Sequence, residues 1–130
     1  MGRTKTFDPH TVLTQIGQLF IRSGYNGTSL DDIVKRTGLL RGSLYSTFGS
    51  KQGMFIAALK LSLAGRDDQL KWGLLMVAML EVTPRSKKVF KIVQAWYESN
   101  QSNQIAAQIG LALLKHSGII HGDENNGKQS

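Results

Sequence analysis

Arg41, Ser43, Ser46 and Thr47, followed closely by Ser50 and Lys51, gather hydrogen-bonding side chains in one short segment. Their chemistry is polar recognition rather than bond-making. An arginine fork matches the N7 and O6 acceptors of guanine, the commonest specific side-chain contact to a base edge. Short hydroxyls such as Ser43, Ser46 and Thr47 suit phosphate oxygens or base edges. Gly42 removes a side chain where a backbone would approach a duplex most closely. Lys51, with the N–H groups that follow Ser50, makes a phosphate clamp if a helix begins there.

Other reactive residue types do not assemble into a site. His10, His116 and His121 are scattered, with no i, i+4 partner of metal-binding type, so surface and capping roles suit them better. Asp31-Asp32 and Asp67-Asp68 are adjacent pairs whose side chains point to different helix faces, which fits capping and not acid–base work. The chain has no Cys, which excludes a disulfide scaffold, a thiolate zinc site and a cysteine nucleophile. No glycine-rich phosphate cradle and no nucleophile–base order is present. An enzyme, a metal site and a cofactor are therefore not expected.

The charge balance favours a polyanionic partner. The 130 residues carry 16 Lys+Arg against 9 Asp+Glu, a net charge of +7. The excess is concentrated early: Arg3, Lys5, Arg22, Lys35, Arg36, Arg41, Lys51 and Lys60 face only Asp8, Asp31 and Asp32 in residues 1–60. A membrane partner fits less well. The longest nearly unbroken apolar run, Trp72 to Leu80, is far short of the roughly 20 residues that span a bilayer. No signal-peptide core follows the basic N-terminus, so the location expected is cytoplasmic.

The elements that must position these groups are all helical, because apolar residues recur at helical spacing and no strand-like alternation is present. Asp8 as N-cap and Pro9 predict a first helix carrying Val12, Ile16, Leu19 and Phe20 to Gly24. Ser29 and Asp32 form a capping box for a short second helix that Gly38 stops. A third runs from about Leu40 to Phe48, with Leu44 and Phe48 inward, and a fourth follows Ser50 to about Leu63. Next come a largely apolar helix, Leu70 to Val82, and one opened by Thr83-Pro84 with Val89, Ile92, Val93 and Trp96 at i, i+3, i+4, i+7. The last spans about Ser102 to His116, burying Ile105, Ile109 and Leu113. The polar stretch 121–130 is expected to be disordered. Two short helices joined by a glycine turn make a helix-turn-helix, in which the first braces across the backbone and the second enters the major groove.

Gly24-Tyr25-Asn26-Gly27-Thr28-Ser29-Leu30-Asp31-Asp32-Ile33-Val34, Thr37-Gly38-Leu39 and Gly42-Ser43-Leu44-Tyr45-Ser46-Thr47-Phe48-Gly49-Ser50-Lys51 together resemble the DNA-binding domain of TetR/AcrR-family transcriptional regulators. The resemblance covers roughly residues 10–60. It implies that Thr28, Ser29 and Leu30 begin the bracing helix at the phosphates. It further implies base reading by Arg41, Gly42, Ser46 and Thr47, with Ser43 on the same face and phosphate contacts from Tyr45 and Lys51. Its further implications are double-stranded DNA as partner, a homodimer, a pseudo-palindromic operator, repression and a small-molecule inducer.

Two positions depart from the family. Leu40 stands where a capping Ser or Thr is usual, a loss of about 1 kcal/mol. Gly53 replaces a helix former in the next helix, at a similar cost of about 1 kcal/mol. The expected organisation is a three-helix helix-turn-helix domain in residues 1–50, then a shortened helical dimerisation and ligand region in 51–120, whose first helix is the connector. Trp72, Met76, Met79, Trp96 and Tyr97 could line a ligand cavity, although core packing is the commoner use of such residues. An apolar face on Leu70 to Leu80 would suit dimerisation, or pairing with another regulator in a protein-interaction module.

Overall fold

Asp8 opens the first helix as its N-cap, accepting from the His10 N–H at 3.2 Å and from the Thr11 hydroxyl at 2.7 Å. In this computed structural model residues 7–121 are described, and every element among them is helical. In chain order they are α1 (Pro9–Ser23), α2 (Leu30–Thr37), α3 (Arg41–Phe48), α4 (Lys51–Ala64), α5 (Asp68–Val77), a π-turn (Ala78–Val82), α6 (Lys87–Ser99) and α7 (Ile105–His116). The predicted starts and stops of the first four helices match the structure to within a residue or so. Three of the four starts have a local cause: Pro9 at the head of α1, the reciprocal Ser29–Asp32 box on α2 and the Ser50 cap on α4.

α1 lies across both α4 and α5, so one apolar cluster runs from Val12 through Phe20, Ile33, Leu44, Phe55 and Leu74 to Ala112. Side chains buried as completely as these stabilise the fold by about 1.5–3 kcal/mol each. Gly17 allows the close crossing, since a Cβ there would meet Leu70 Cδ1 at 2.9 Å and Leu74 Cδ1 at 3.1 Å. Phe20, Tyr25 and Phe55 pack as an aromatic triad, with centroids 5.2–5.6 Å apart.

Beyond α4 the structure corrects several expectations. The helix predicted to start at Thr83-Pro84 starts at Lys87 instead. The preceding helix widens into the π-turn, closed by the Thr83 N–H donating to the Ala78 carbonyl at 2.8 Å. Ser86 takes the N-cap role because its hydroxyl accepts from the Val89 N–H at 3.1 Å while donating to Gln52 Oε1 at 3.0 Å. The last helix begins at Ile105, three residues after the predicted Ser102, whose hydroxyl closes a turn ahead of it. It buries Ile105 and Ala112, whereas Leu113 is exposed, because α7 meets the core along a narrower stripe than its sequence offers. Leu70 and Leu74 through Ala78 are buried in the chain's own core, leaving only Leu80 of that segment exposed, so the anticipated apolar pairing face is absent there. The expectation of disorder concerns residues 121–130, which apart from His121 lie outside those described.

Candidate nucleic-acid interface

Three residues join α2 to α3. Gly38 takes the left-handed conformation (φ 77°) that lets α2 end sharply, with its N–H returning to the Val34 carbonyl at 2.9 Å. Leu39 is buried beneath the turn, and Leu44, fully buried, fixes which side of α3 faces inward. Phe48 is half-buried at the same edge. With Leu44 and Phe48 holding the inner face, Arg41, Gly42, Tyr45, Ser46 and Thr47 stand exposed together, and Ser43 is half-buried beside them. Nothing lies within 4 Å of the place where a Gly42 Cβ would be, so this side of the helix is open.

Leu40, 76 % exposed, gives α3 no side-chain cap, as its sequence position implies. Arg41 does not stand free: its guanidinium is paired with Asp31 on α2. The sequence suggested only a capping role for Asp31. The structure gives it the orienting of the one arginine on the exposed face of α3, and only the folded turn brings the two together.

α2 presents its N-terminus beside this face. The Ser29 hydroxyl accepts from the Asp32 N–H at 3.0 Å, and the Asp32 carboxylate accepts from the Ser29 N–H at 2.9 Å. Those Ser29 bonds hold the Asp32 carboxyl below the ordinary carboxylate range. Ser29 is exposed and Leu30 half-buried. Thr28 is not on the surface. It is 1 % exposed, with its hydroxyl donating to the Gly24 carbonyl at 2.7 Å, so its side chain braces the α1–α2 turn from inside.

Lys51 occupies the first position of α4, next to Ser50, whose hydroxyl accepts from the Gly53 N–H at 2.9 Å. Its ammonium sits 4.6 Å from the centre of the Tyr25 ring. Burial pushes the Lys51 pKa down, and the nearby charge of Glu81 opposes that shift. Gly53 has a packing reason that the sequence did not reveal: a Cβ there would fall 2.0 Å from the Phe48 carbonyl oxygen. Sequence reasoning also passed over Tyr25 and Glu81. The Glu81 carboxylate accepts from the backbone N–H groups of Tyr25 at 3.1 Å and Asn26 at 3.2 Å, more than fifty residues away in sequence.

Of the five residues suggested for a ligand cavity, Met76 is buried, and Trp72 packs edge-on against Trp96 at 5.6 Å. Only Trp72 lines the open groove between α1, α5 and α7, of about 490 Å³. No helix among the described residues is long and apolar enough to cross a membrane.

Residues 13–58 match the family described as bacterial regulatory proteins, tetR family. An uncharacterized HTH-type transcriptional regulator, YezE of Bacillus subtilis, is 43% identical over 67 residues, covering 52% of this chain and 34% of its own length. The HTH-type transcriptional repressor ComR of Escherichia coli is 43% identical over 58 residues (45% of this chain, 28% of the relative). The HTH-type transcriptional regulator QacR of Staphylococcus aureus is 35% identical over 54 residues (42% of this chain, 29% of the relative). The chain thus aligns with about a third of the length of these curated relatives. No solved structure matches it at comparable significance. The matched residues fall on the helix-turn-helix unit of α1 to α4, which is thus similar to that of the tetR family of bacterial regulatory proteins.

Proposed function

We propose that this chain is a sequence-specific DNA-binding transcriptional regulator, a cytoplasmic repressor that grips a pseudo-palindromic operator as a homodimer. The observation that carries this reading is the exposed face of α3, where Arg41, Gly42, Ser46 and Thr47 stand together beside the capped N-terminus of α2 and Lys51. Arg41 reads guanine, Ser43, Ser46 and Thr47 take base edges or phosphate oxygens, and Tyr45 and Lys51 hold the backbone on either side. In a homodimer two such faces enter successive major grooves about 34 Å apart. Residues 1–50 would read DNA, and residues 51–120 would pair the subunits and take a small-molecule inducer in the groove beside Trp72.

The test is an anisotropy titration at physiological salt, comparing duplex from immediately upstream of the chain's own gene with a scrambled duplex of equal length. At least a tenfold preference, about 1.4 kcal/mol, is expected. Equal, salt-sensitive binding to both would leave only the net charge of +7 at work and overturn the reading for that operator. A second reading, an interaction module that pairs with another regulator, rests on the exposed Leu111, Leu113 and Leu114 of α7. Co-purification with a full-length regulator, without duplex binding, would favour it.

A further inference from the structure

Two links run from the segment after α5 into the helix-turn-helix unit, and both converge on Tyr25. The first is the pair of hydrogen bonds from the Tyr25 and Asn26 N–H groups to Glu81 Oε1. Gly24 makes room for it: with φ at 80° and no Cβ, it lets Glu81 Oε2 come to where a Cβ would be 2.7 Å away. The second runs through Ser86, which donates to Gln52 Oε1 at 3.0 Å, while the same Gln52 amide interacts with the Tyr25 phenol. Tyr25 in turn stacks on Phe20, meets Phe55 edge-on and carries the Lys51 ammonium over its ring. The α1–α2 turn, the entry into α2 and the seat of Lys51 are therefore set partly by Glu81 and Ser86, which lie outside the family match at residues 13–58.

We propose that Glu81 is the positioning residue through which the C-terminal helices set the phosphate-facing edge of the reading head. The claim rests on the DNA-binding reading. Glu81 sits inside the π-turn, a geometry that carries one residue more per turn than the α-ladder and is often found at functional sites. Recovering the α-ladder there would rotate Glu81 away from the Tyr25 and Asn26 amides. Coupling between distant sites requires an element with two discrete arrangements, and an exchange between the π- and α-ladders here would supply one. A ligand or partner that moves α5 or α6 would release the α1–α2 turn and weaken the grip on phosphate.

The experiment pairs two variants of the full chain. Glu81→Gln keeps an oxygen that accepts from the two amides but removes the charge, whereas Glu81→Ala removes both. Amide exchange is read at Tyr25 and Asn26, with Ile16 and Phe20 as core controls and thermal melts confirming that both variants fold. DNA binding is read by anisotropy on the duplex for which the wild type shows preference. Glu81→Ala is expected to lose protection at the two amides with the core controls intact, and to bind DNA at least about fivefold more weakly. Glu81→Gln is expected to keep both protection and affinity. If charge alone mattered, the two variants would shift affinity in the same direction, which would overturn the proposal. Unchanged protection in Glu81→Ala, or unchanged affinity beside a wild type that binds, would do so as well. A wild type that prefers no duplex would instead refute the DNA reading on which the proposal stands, whatever the exchange result.

Discussion

Gly42→Ala should make the free protein more stable and its DNA complex weaker, and the two effects have separate physical causes. Gly42 is the second residue of α3, and no atom lies within 4 Å of an ideal Cβ at that position. Its φ is not positive, so alanine suits the backbone. Replacing a helical glycine by alanine then removes a conformational-entropy penalty of about 0.5–1 kcal/mol. For a chain of this size that gain raises the melting temperature by about 2–6 °C. The same methyl group stands on the open face, between Arg41 and Ser43, where a duplex would meet the helix backbone. A methyl there holds the helix away from the groove and lengthens every neighbouring hydrogen bond, so a loss of at least tenfold in affinity, about 1.4 kcal/mol, is expected. Melting by circular dichroism and anisotropy titration on the preferred duplex read the two effects independently. A variant that melts higher yet binds DNA as tightly as the wild type would show that Gly42 is not at the closest approach. One that melts lower would refute the claim that the position is open.

The remaining expectations concern the residues around that face. Arg41→Ala should relax base preference at one operator position by about 1–3 kcal/mol, measured with single-base substitutions in the duplex. Asp31→Asn should also relax that preference while raising overall affinity, because it frees the Arg41 guanidinium and removes a negative charge. Gly53→Ala should lower stability by about 1–3 kcal/mol in a denaturant melt, since its Cβ has no room beside the Phe48 carbonyl. The Asp32 carboxyl has a depressed folded pKa, so its stabilisation is present above its unfolded value and lost as pH falls through the folded one. The gap in melting temperature between wild type and Asp32→Ala should therefore be constant above about pH 5 and shrink towards pH 2.

The sequence spoke plainly where structure is locally determined. Asp8-Pro9, the Ser29–Asp32 box, Gly38 and Ser50 each act within a few residues of themselves, so their helices begin and end where capping chemistry predicts. The exposed face of α3 follows from the same local logic, because a buried Leu44 fixes the helix's rotation. What escaped was set at a distance. Thr28 turned inward because the carbonyls of Gly24 and Leu19 meet there. Thr83-Pro84 looked like a helix start, yet Ser86 could reach both Val89 and Gln52, and a start at Lys87 satisfies more polar groups. Leu113 carried the helical period of a core residue on a helix that touches the core along one narrow stripe.

The same distinction bears on how such a chain could act as a regulator. The residues that would touch DNA are fixed by short-range signals and lie within α2, α3 and the start of α4. Those that hold this unit to the rest of the chain are long-range: α1 packs on both α4 and α5, and Glu81 reaches back to the α1–α2 turn. The helix-turn-helix unit therefore has no core of its own, because Ile16, Phe20 and Phe55 belong to the cluster that also contains Leu74 and Val77. A cleavage between residues 50 and 51, however natural from the sequence, would split α1 from α4 and expose that cluster. Residues 1–50 expressed alone should accordingly lack a cooperative melt, whereas a chain ending after Val82 keeps both α5 and the Glu81 contact and should retain one. If the short piece melted cooperatively and bound duplex as the whole chain does, the head would be autonomous. The coupling argued for Glu81 would then have no mechanical route.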